Sequence, residues 1–493
     1  MPDQISNRAA EASPAALELA RRFLQELLAA GATAVDKTPA LQDLGALEPR
    51  IDAMLAALDA FHAGLPQPLE PPALAALNLS RQISQAAARL HQRAAQSVAA
   101  INAASASSAT LPGRPRVAPQ LLRAMRHVSR AMRTSYKAYA RVPAGAWKTM
   151  HEIYLLAEEL GVAAGVADAE TRMSIAGLYG ESLLLSLTDP YRLEPGEVAR
   201  IEALLRSLRP TLSLAREAPE TPATRHFVVH CMEDAPPAPL RGEGPASRDT
   251  PARIFDTTTV VEALRGAKGV EDAAFTRKLL ALWDGPPQRA FRREPADGSV
   301  AICVGVKPIA HFVAHDATAD GEAESKALRE GITMPLRALP EDEGGRLIPI
   351  HEWAVINLSA GGLRVRRRAA TSHPIVVGEI VGIRAPGKAL WTVGATRWIM
   401  AEEDGTTEFG VQFFAEAACA VWIRAPGNAS VRKLGLLVSE RETDEVESLL
   451  APAGTYADGG PFDVRGEGFR ARMRPAELVE ANTHFELFRV TSE

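Results

Sequence analysis

The hydrophobic pattern changes character partway along the chain, and this change limits the possible folds more than any other feature. Over the first 215 residues or so, apolar residues recur at helical spacing, as at Leu17, Leu24 and Leu28. After Pro287 the apolar runs are short, β-branched or aromatic, and bounded by Gly, Pro or Asp about eight to twelve residues apart. A chain of 493 residues is also too long for one core, since single cores stop growing near ~250 residues. The sequence therefore predicts an α+β multidomain protein.

The same pattern predicts four regions. An all-α helical region spans 1–215, and we expect it to serve as the output or partner-binding platform. A linker region with a strand and short helices spans 216–285. An antiparallel β-barrel or sandwich spans 286–430 and is interrupted by an acidic insertion at 316–350. A small β-rich C-terminal extension spans 431–493. The run "AHFVAH" at 310–315 is predicted as one of the barrel strands.

Composition excludes several classes of protein. Apolar residues make up 46% and charged residues 23%, which is typical of an ordered globular protein. No stretch of roughly 18 uninterrupted apolar residues is present, so no membrane span is predicted. The N-terminus has Asp3 where a signal peptide would be basic. Three widely separated cysteines fit neither a disulfide framework nor a zinc motif, so we expect a cytoplasmic location.

A cluster of arginines precedes the β region. The stretch "QRAFRREP" contains Arg289 and Arg293 in an RxxxR arrangement, with Arg292 alongside. Guanidinium groups at this spacing can fork onto a phosphate or stack on a planar base. RxxxR by itself is more typical of a solvent-exposed surface than of a binding site, so whether it binds a ligand depends on the residues further along the chain.

A polar, glycine-containing turn lies within the β region, in "VINLSAGGLRVRRR" (355–368). Asn357, Ser359 and Gly362 form an NxSxxG pattern, and Gly361 lies within it. The Asn amide and the Ser hydroxyl both donate and accept hydrogen bonds, so they can read a base edge. Gly361 and Gly362 carry no side chain that would keep a ligand from the backbone. NxSxxG alone is often only a tight turn, but after RxxxR it favours an anion with purine bases.

RxxxR followed by NxSxxG, then "VGEIVGIRA", "VGATRWI" and "EFGVQFF", resembles the PilZ domain family of bacterial cyclic di-GMP receptors. The resemblance covers roughly 286–424. It implies a six-stranded antiparallel β-barrel that binds cyclic di-GMP, with the arginine segment folding over the nucleotide and the NxSxxG strand forming the floor. By this resemblance Arg289 and Arg293 would contact phosphate and guanine, and Asn357 and Ser359 a guanine edge. The ligand set it implies is Arg289, Arg292, Arg293, Asn357, Ser359, Gly361 and Gly362.

A second basic feature lies in the helical region. Between Pro71 and His151 the chain has no Asp or Glu. Within this stretch five cations alternate at spacings of three and four beside an apolar seam, so that a basic stripe is predicted along one helix. The stripe is either docked on acidic helices of the same bundle, such as those with Glu152, Glu158 and Glu159, or it binds an acidic partner. The members of this basic stripe are Arg123, Arg126, Arg130, Arg133 and Lys137.

Signatures of enzymes and metal sites are missing from the sequence. There is no GxSxG, phosphate loop, dinucleotide fingerprint or HExxH, so no catalytic residues and no enzyme activity are predicted. The His226, His230 and Cys231 group and the His311/His315 pair lie in strand-like runs without a further ligand, so no metal is predicted. Nucleic acid is not expected as a partner, because the net charge is −5 and no DNA-binding module is recognisable.

The sequence therefore favours a bacterial signalling receptor that senses cyclic di-GMP through its barrel, needs no cofactor, and repositions a helical, partner-binding region. The alternative is a degenerate barrel that serves as an adaptor for protein partners and binds no nucleotide. An enzyme hidden in the helical half is the third and weakest hypothesis, because the polar residues there include no convergent acid and base.

Overall fold

A computed structural model describes most of the chain. The described residues are 16–30, 41–63, 71–104, 117–168, 170–208, 212–217, 225–240, 251–266, 273–285, 291–315, 334–335, 347–348, 350–368, 375–386, 391–402, 406–424, 432–439, 448–456, 460–466 and 469–492. The chain divides into two units, Met1–Gln288 and Arg289–Glu493, and each has its own architecture.

The first unit begins with helices whose apolar faces form two packed clusters. In chain order its N-terminal elements are α1 (16–30), α2 (Leu41–Ala63), α3 (Pro71–Ala104), α4 (Val117–Lys137), α5 (Ala146–Glu159), β1 (Val166–Asp168), β2 (Met173–Ser174), α6 (Ile175–Ser186) and α7 (Glu197–Leu208). One cluster joins α1, α2 and α3 through Phe23, Ile51 and Ile83. α4 is the central element of the other cluster, because its buried residues pack against α5, α6 and α7.

A small sheet and two further helices complete this unit. Their elements are β3 (Ser213–Ala215), β4 (His226–His230), β5 (Ala238–Pro239), β6 (Ala252–Asp256), α8 (Thr258–Gly266) and α9 (Ala273–Trp283). The strands pair antiparallel in the order β3-β6-β4-β5. Phe227, Phe255 and Trp283 lie in the same buried cluster as α4 to α7. The segment predicted as a linker region therefore contributes apolar side chains to the helical core.

The second unit contains two β-barrels. The strands of the first are β8 (Ser299–Val304), β11 (Ile350–Ser359), β12 (Gly362–Arg367), β13 (Ile380–Arg384), β14 (Thr392–Ala401) and β15 (Thr407–Ala415). They pair antiparallel in the order β12-β15-β14-β13-β8-β11, and β11 also pairs with β12, which closes the six strands. The predicted six-stranded antiparallel barrel is thus confirmed. The short strand β7 (Glu294–Pro295) adds to the C-terminal half of β11.

The acidic insertion lies mostly outside the described residues. Within it the structure describes β9 (Met334–Pro335) and β10 (Leu347–Ile348), which pair with each other, and Ile350, where β11 begins.

The predicted β-rich extension is a second barrel. Its strands are β16 (Ala417–Arg424), β17 (Arg432–Ser439), β18 (Ser448–Ala451), β19 (Phe462–Gly466), β20 (Phe469–Ala481) and β21 (Glu486–Ser492). They close in the order β16-β17-β18-β21-β20-β19. β16 lies within the range predicted for the first barrel, but it pairs with β17 and β19 and so belongs to the second.

One element has the wrong type in the sequence-based prediction. The run that contains "AHFVAH" is a helix, α10 (Val306–His315), and not a strand. Gly305 takes a φ of +94° and turns the chain out of β8, and Pro308 falls in the first helical turn, where a missing N–H costs nothing. Ile309 and Phe312 then pack into a cluster that includes Trp391 of the first barrel and Leu436 of the second. The helix therefore fills the space between the barrels.

No helix in the described ranges is both long and apolar enough to cross a lipid bilayer.

Candidate functional site

The NxSxxG residues lie at the tip of the β11–β12 hairpin. Ser359 pairs with Gly362 across the ladder, and the Ser359 hydroxyl donates a hydrogen bond to the Gly362 carbonyl at 3.1 Å. Gly362 has no room for a side chain, because a Cβ there would lie 2.0 Å from the carbonyl oxygen of Val411 on β15. The glycine is therefore required for the hairpin to close onto the neighbouring strand.

Asn357 occupies the position where three strands meet. Its backbone pairs with Arg364 on β12 and with Pro295 on β7, and the β11 ladder shifts register between Val355 and Asn357. The Asn357 side-chain oxygen is buried and accepts no hydrogen bond from any described residue. A buried acceptor without a donor is costly, so this atom is suited to a ligand that donates an N–H.

The structure brings part of the arginine segment next to this hairpin. Glu294 and Pro295 of β7 pair with Leu358 and Asn357, so the residues immediately before β7 must start beside the hairpin. Arg292 and Arg293 are both exposed there. Arg289 lies outside the described residues.

Phe291 belongs to the same neighbourhood, and the sequence analysis missed it. A Cβ on Gly361 would lie 2.7 Å from the Phe291 ring, so this ring covers the hairpin turn while remaining 55% exposed. A large exposed aromatic over a glycine turn is a surface on which a planar base can stack. The signal in the sequence was its position between Arg289 and Arg292 in "QRAFRREP".

A buried carboxylate organises the arginines on the C-terminal side of the hairpin. Arg364 Nε donates to Glu408 Oε2 at 3.0 Å, and Arg366 Nε donates to Glu408 Oε1 at 2.5 Å. Burial of Glu408 would raise its pKa, but the hydrogen bonds from both arginines outweigh burial and hold the pKa below its ordinary value. Arg364 also lies 5.5 Å over the Trp398 ring. Because side chains alternate between the two faces of a strand, Arg364 and Arg366 are predicted to face outward from β12. The structure shows in addition that Glu408 pairs with both of them.

Inward-facing residues of β12 agree with the same alternation. Leu363 is 6% exposed and Val365 is fully buried. Val365 pairs with Phe409 of β15, so the hairpin is anchored to the barrel core from below.

The basic stripe runs along α4 and is paired with acids of its own unit. Arg130 Nη2 lies 2.6 Å from Asp59, and Glu202 accepts from Lys137 at 3.2 Å. Arg126 binds Asp168 and lowers the pKa of that carboxyl to about 2. The remaining contacts are Arg123 to Glu48 at 3.7 Å and Arg133 to Glu202 at 3.6 Å.

These acids are not the ones that the sequence suggested. Glu152 accepts a hydrogen bond from Gln92, and Glu158 binds Arg253 and Arg216. The four arginines of the stripe line one side of a cleft of about 710 Å³ within the first unit, and Ser129, Ser182 and Leu178 also line it. Arg123 and Arg126 remain 42% and 38% exposed, so the paired stripe still presents positive charge to this cleft.

Two sequence families match this chain. Residues 320–419 match the family described as "Cyclic-di-GMP receptor FimW, middle PilZ domain". Residues 6–220 match the one described as "Cyclic-di-GMP receptor FimW, N-terminal domain". Together with the closed six-stranded barrel, the first match identifies a PilZ domain in this chain, as the hairpin motif predicted.

A curated relative gives the more particular likeness. The chain is 23% identical over 395 aligned positions to the "Cyclic-di-GMP receptor FimW" of Pseudomonas aeruginosa. The similarity covers 67% of this chain and 63% of the relative, so the chain spans less than two thirds of the relative's length. The PilZ match begins at residue 320, so it includes the hairpin residues and leaves the arginine segment outside.

Proposed function

We propose that the first barrel is a cyclic di-GMP receptor site, with the β11–β12 hairpin as its floor and the segment before β7 as its arginine clamp. The observation that supports this most is the pairing of β7 with β11, because Arg292 and Arg293 directly precede β7 and so begin beside Asn357. The relative that this chain resembles over 67% of its length is named as a cyclic di-GMP receptor.

The chemistry of the hairpin fits a guanine nucleotide. The buried Asn357 oxygen, which has no hydrogen-bond partner among the described residues, can accept from a guanine N–H. The Ser359 hydroxyl can turn from the Gly362 carbonyl to the base edge. Phe291 supplies a face for stacking, and Arg292 and Arg293 supply charge for a phosphate. In this proposal Arg289 and Arg293 contact phosphate and guanine. Gly361 allows the nucleotide to approach the backbone where the Phe291 ring moves aside, and Gly362 holds the hairpin against β15 beneath it.

The position of the arginines also suggests how binding could be transmitted. The division between the two units falls between Gln288 and Arg289, directly before the RxxxR segment. A nucleotide that orders residues 289–293 would fix the start of the second unit at its junction with the first. We propose that this ordering repositions the helical unit, and that the basic stripe of that unit contacts an acidic protein partner. A cytoplasmic, non-enzymatic receptor is the setting in which this device would act, and Cys231, Cys303 and Cys419 form no disulfide.

Isothermal titration of the full chain with cyclic di-GMP tests the proposal. We expect micromolar or tighter binding, which corresponds to roughly −8 kcal/mol or better. The variant Arg292→Ala with Arg293→Ala should lose at least tenfold in affinity, and so should Arg289→Ala. Ser359→Ala should weaken binding less, because it removes one neutral hydrogen bond worth ~1 kcal/mol.

The matched control is Arg21→Ala with Arg22→Ala, which removes the same charge from an exposed adjacent pair on α1. It should bind like the original chain. Unchanged affinity in the Arg292/Arg293 variant would contradict the clamp. Absence of any binding by the original chain at millimolar nucleotide would favour the adaptor that binds protein partners alone.

A further inference from the structure

Three helices of the first unit bring a carboxylate and two imidazoles together. Glu48 lies on α2, His91 on α3 and His127 on α4, and their ligand atoms all lie within 4.8 Å of one another. His91 is fully buried, and the His127 and Glu48 side chains are 7% and 16% exposed. The sequence offers no motif here, since the three residues are far apart along the chain and the prediction was that no metal binds.

The hydrogen bonding of His91 leaves its second nitrogen facing an anion. His91 Nδ1 lies 3.2 Å from the side-chain oxygen of Gln120, and an amide oxygen can only accept, so Nδ1 carries the proton. In the neutral imidazole Nε2 then presents a lone pair, and this atom lies against Glu48 Oε2. Both atoms are buried and face each other, and no third described residue makes a hydrogen bond with either. Two acceptors in contact are repulsive unless a proton or a metal cation lies between them, and this position can hold either.

His127 completes a set of donors on the same side of Glu48. Its Nε2 lies 3.8 Å from Glu48 Oε1, and its ring stacks on that of His91 with centroids 5.3 Å apart. Ligands held at the usual ~2.0–2.1 Å from a tetrahedral Zn²⁺ lie roughly 3.3–3.5 Å apart, which is close to the spacing of His127 and Glu48. His91 and Glu48 are in closer contact and would separate to admit the ion. Two imidazoles and one carboxylate form a donor set that Zn²⁺ binds well. Gln120 acts as the outer partner that orients the first imidazole.

One coordination position would remain open. Glu48 and His127 line the same cleft as the basic stripe, and so does Asp52, whereas His91 lies behind them. A water from the cleft can therefore be the fourth ligand. Arg123 also reaches Glu48, at 3.7 Å, but its side chain is 42% exposed and can turn toward the cleft.

We propose that Glu48, His91 and His127 bind a Zn²⁺ ion that joins α2, α3 and α4 and turns its open position toward the cleft. This site is separate from the nucleotide hairpin, which lies in the other unit, so the two proposals stand or fall independently.

The experiment uses the full chain without a histidine tag, stripped with chelator and then given one equivalent of Zn²⁺. Elemental analysis after desalting should find one zinc per chain, with a raised Tm. Replacing Zn²⁺ by Co²⁺ should produce the visible absorption of a four-coordinate ion. Glu48→Gln and His127→Gln should lose the bound metal, and Gln120→Leu should weaken metal affinity by roughly 10- to 100-fold.

Two further variants distinguish metal binding from a purely structural role. His226→Gln is the matched control, because His226 Nε2 also lies 3.8 Å from a carboxylate, that of Asp256; it should keep the zinc. His127→Cys should keep the metal, and its Co²⁺ form should gain a sulfur-to-cobalt charge-transfer band in the near ultraviolet. Because this variant gains a signal, it supports the site even if the other variants fold poorly. Substoichiometric zinc in the original chain, or equal zinc in Glu48→Gln, would overturn the proposal and leave an imidazolium–carboxylate pair.

Discussion

At the scale of single residues, the two hairpin glycines differ in what surrounds them. A Cβ on Gly362 would strike the backbone of Val411, which cannot move without opening the β12–β15 ladder, whereas a Cβ on Gly361 would meet only the exposed Phe291 ring. We therefore expect Gly362→Ala to lower the free energy of unfolding by ~1–3 kcal/mol and Gly361→Ala by less than ~1 kcal/mol. Urea denaturation of each variant measures this difference.

The control for these substitutions is Gly266→Ala at the end of α8, where a Cβ would meet nothing within 4 Å. It should be neutral or slightly stabilising, since alanine restricts the unfolded chain. Equal losses of stability at Gly361 and Gly362 would contradict the packing argument.

His351 gives the first barrel a dependence on pH. Burial lowers the pKa of His351 from 6.5 to about 4, and Arg367 adds to the effect. The folded state then binds fewer protons than the unfolded state between these values, so stability is full above pH 6.5 and is lost as the pH falls toward 4. We expect the barrel to lose up to ~2 kcal/mol between pH 6.5 and pH 5 through His351, since each unit of pH in this window is worth at most ~1.4 kcal/mol.

The measurement is urea denaturation of the 289–493 unit at pH 7.5 and at pH 5, with His351→Gln for comparison. The free energy of unfolding of the variant should fall less between pH 7.5 and pH 5. An identical pH dependence in both proteins would assign the loss to other groups, such as Glu408, whose lowered pKa acts mainly below pH 4.5.

At the scale of elements, the pairing of β12 with β15 depends on one buried acid. Glu408 is 3% exposed and holds both Arg364 and Arg366. Glu408→Gln should destabilise the barrel by ~1–3 kcal/mol, because it leaves two part-buried guanidinium groups without their carboxylate. Thermal unfolding followed by circular dichroism detects a loss of this size.

A double-mutant cycle with Arg366→Gln separates the pair from the single effects. If the effects of Glu408→Gln and Arg366→Gln add fully, the ion pair does not stabilise the hairpin. The same Glu408→Gln protein should retain nucleotide affinity if the clamp consists of Arg289, Arg292 and Arg293 alone.

Helix α10 shows why element type is hard to read from a short apolar run. "AHFVAH" satisfies a strand pattern as well as a helical one, and its length does not decide between them. Ile309 lies against Gly382 of β13, and Phe312 stacks on Trp391 at 5.0 Å, so packing on two barrels selects the helix. The helix is therefore fixed by contacts that lie far away in sequence.

At the scale of the molecule, the two barrels of the second unit are joined by both polar and apolar contacts. Arg397 of β14 makes a bidentate pair with Glu480 of β20, at 2.5 and 2.6 Å. Asn482 donates to the Gly378 carbonyl at 3.0 Å, and the rings of Phe414 and Phe485 are 5.6 Å apart. Such a shared core predicts that the two barrels unfold together.

Residues 289–493 expressed alone should therefore show a single unfolding transition. Ile309→Ala, at a fully buried position between the barrels, should lower its stability by ~2–5 kcal/mol while keeping one transition. Differential scanning calorimetry tests both expectations. Two separate transitions in the original fragment would show that the barrels are independent.

The sequence by itself determined the order of the regions, most helices, the six barrel strands and the hairpin of the proposed nucleotide site. These features arise from local periodicity and from glycines and polar residues that are adjacent in the chain, such as Asn357 and Ser359. Only the tertiary structure decided the closure of the second barrel, the helical state of α10, the acids that pair with the basic stripe, and the meeting of Glu48, His91 and His127. Each of these depends on residues that are distant in sequence. The periodicity of apolar residues predicts whether a side chain faces the core, but it does not predict which distant residue that side chain will contact.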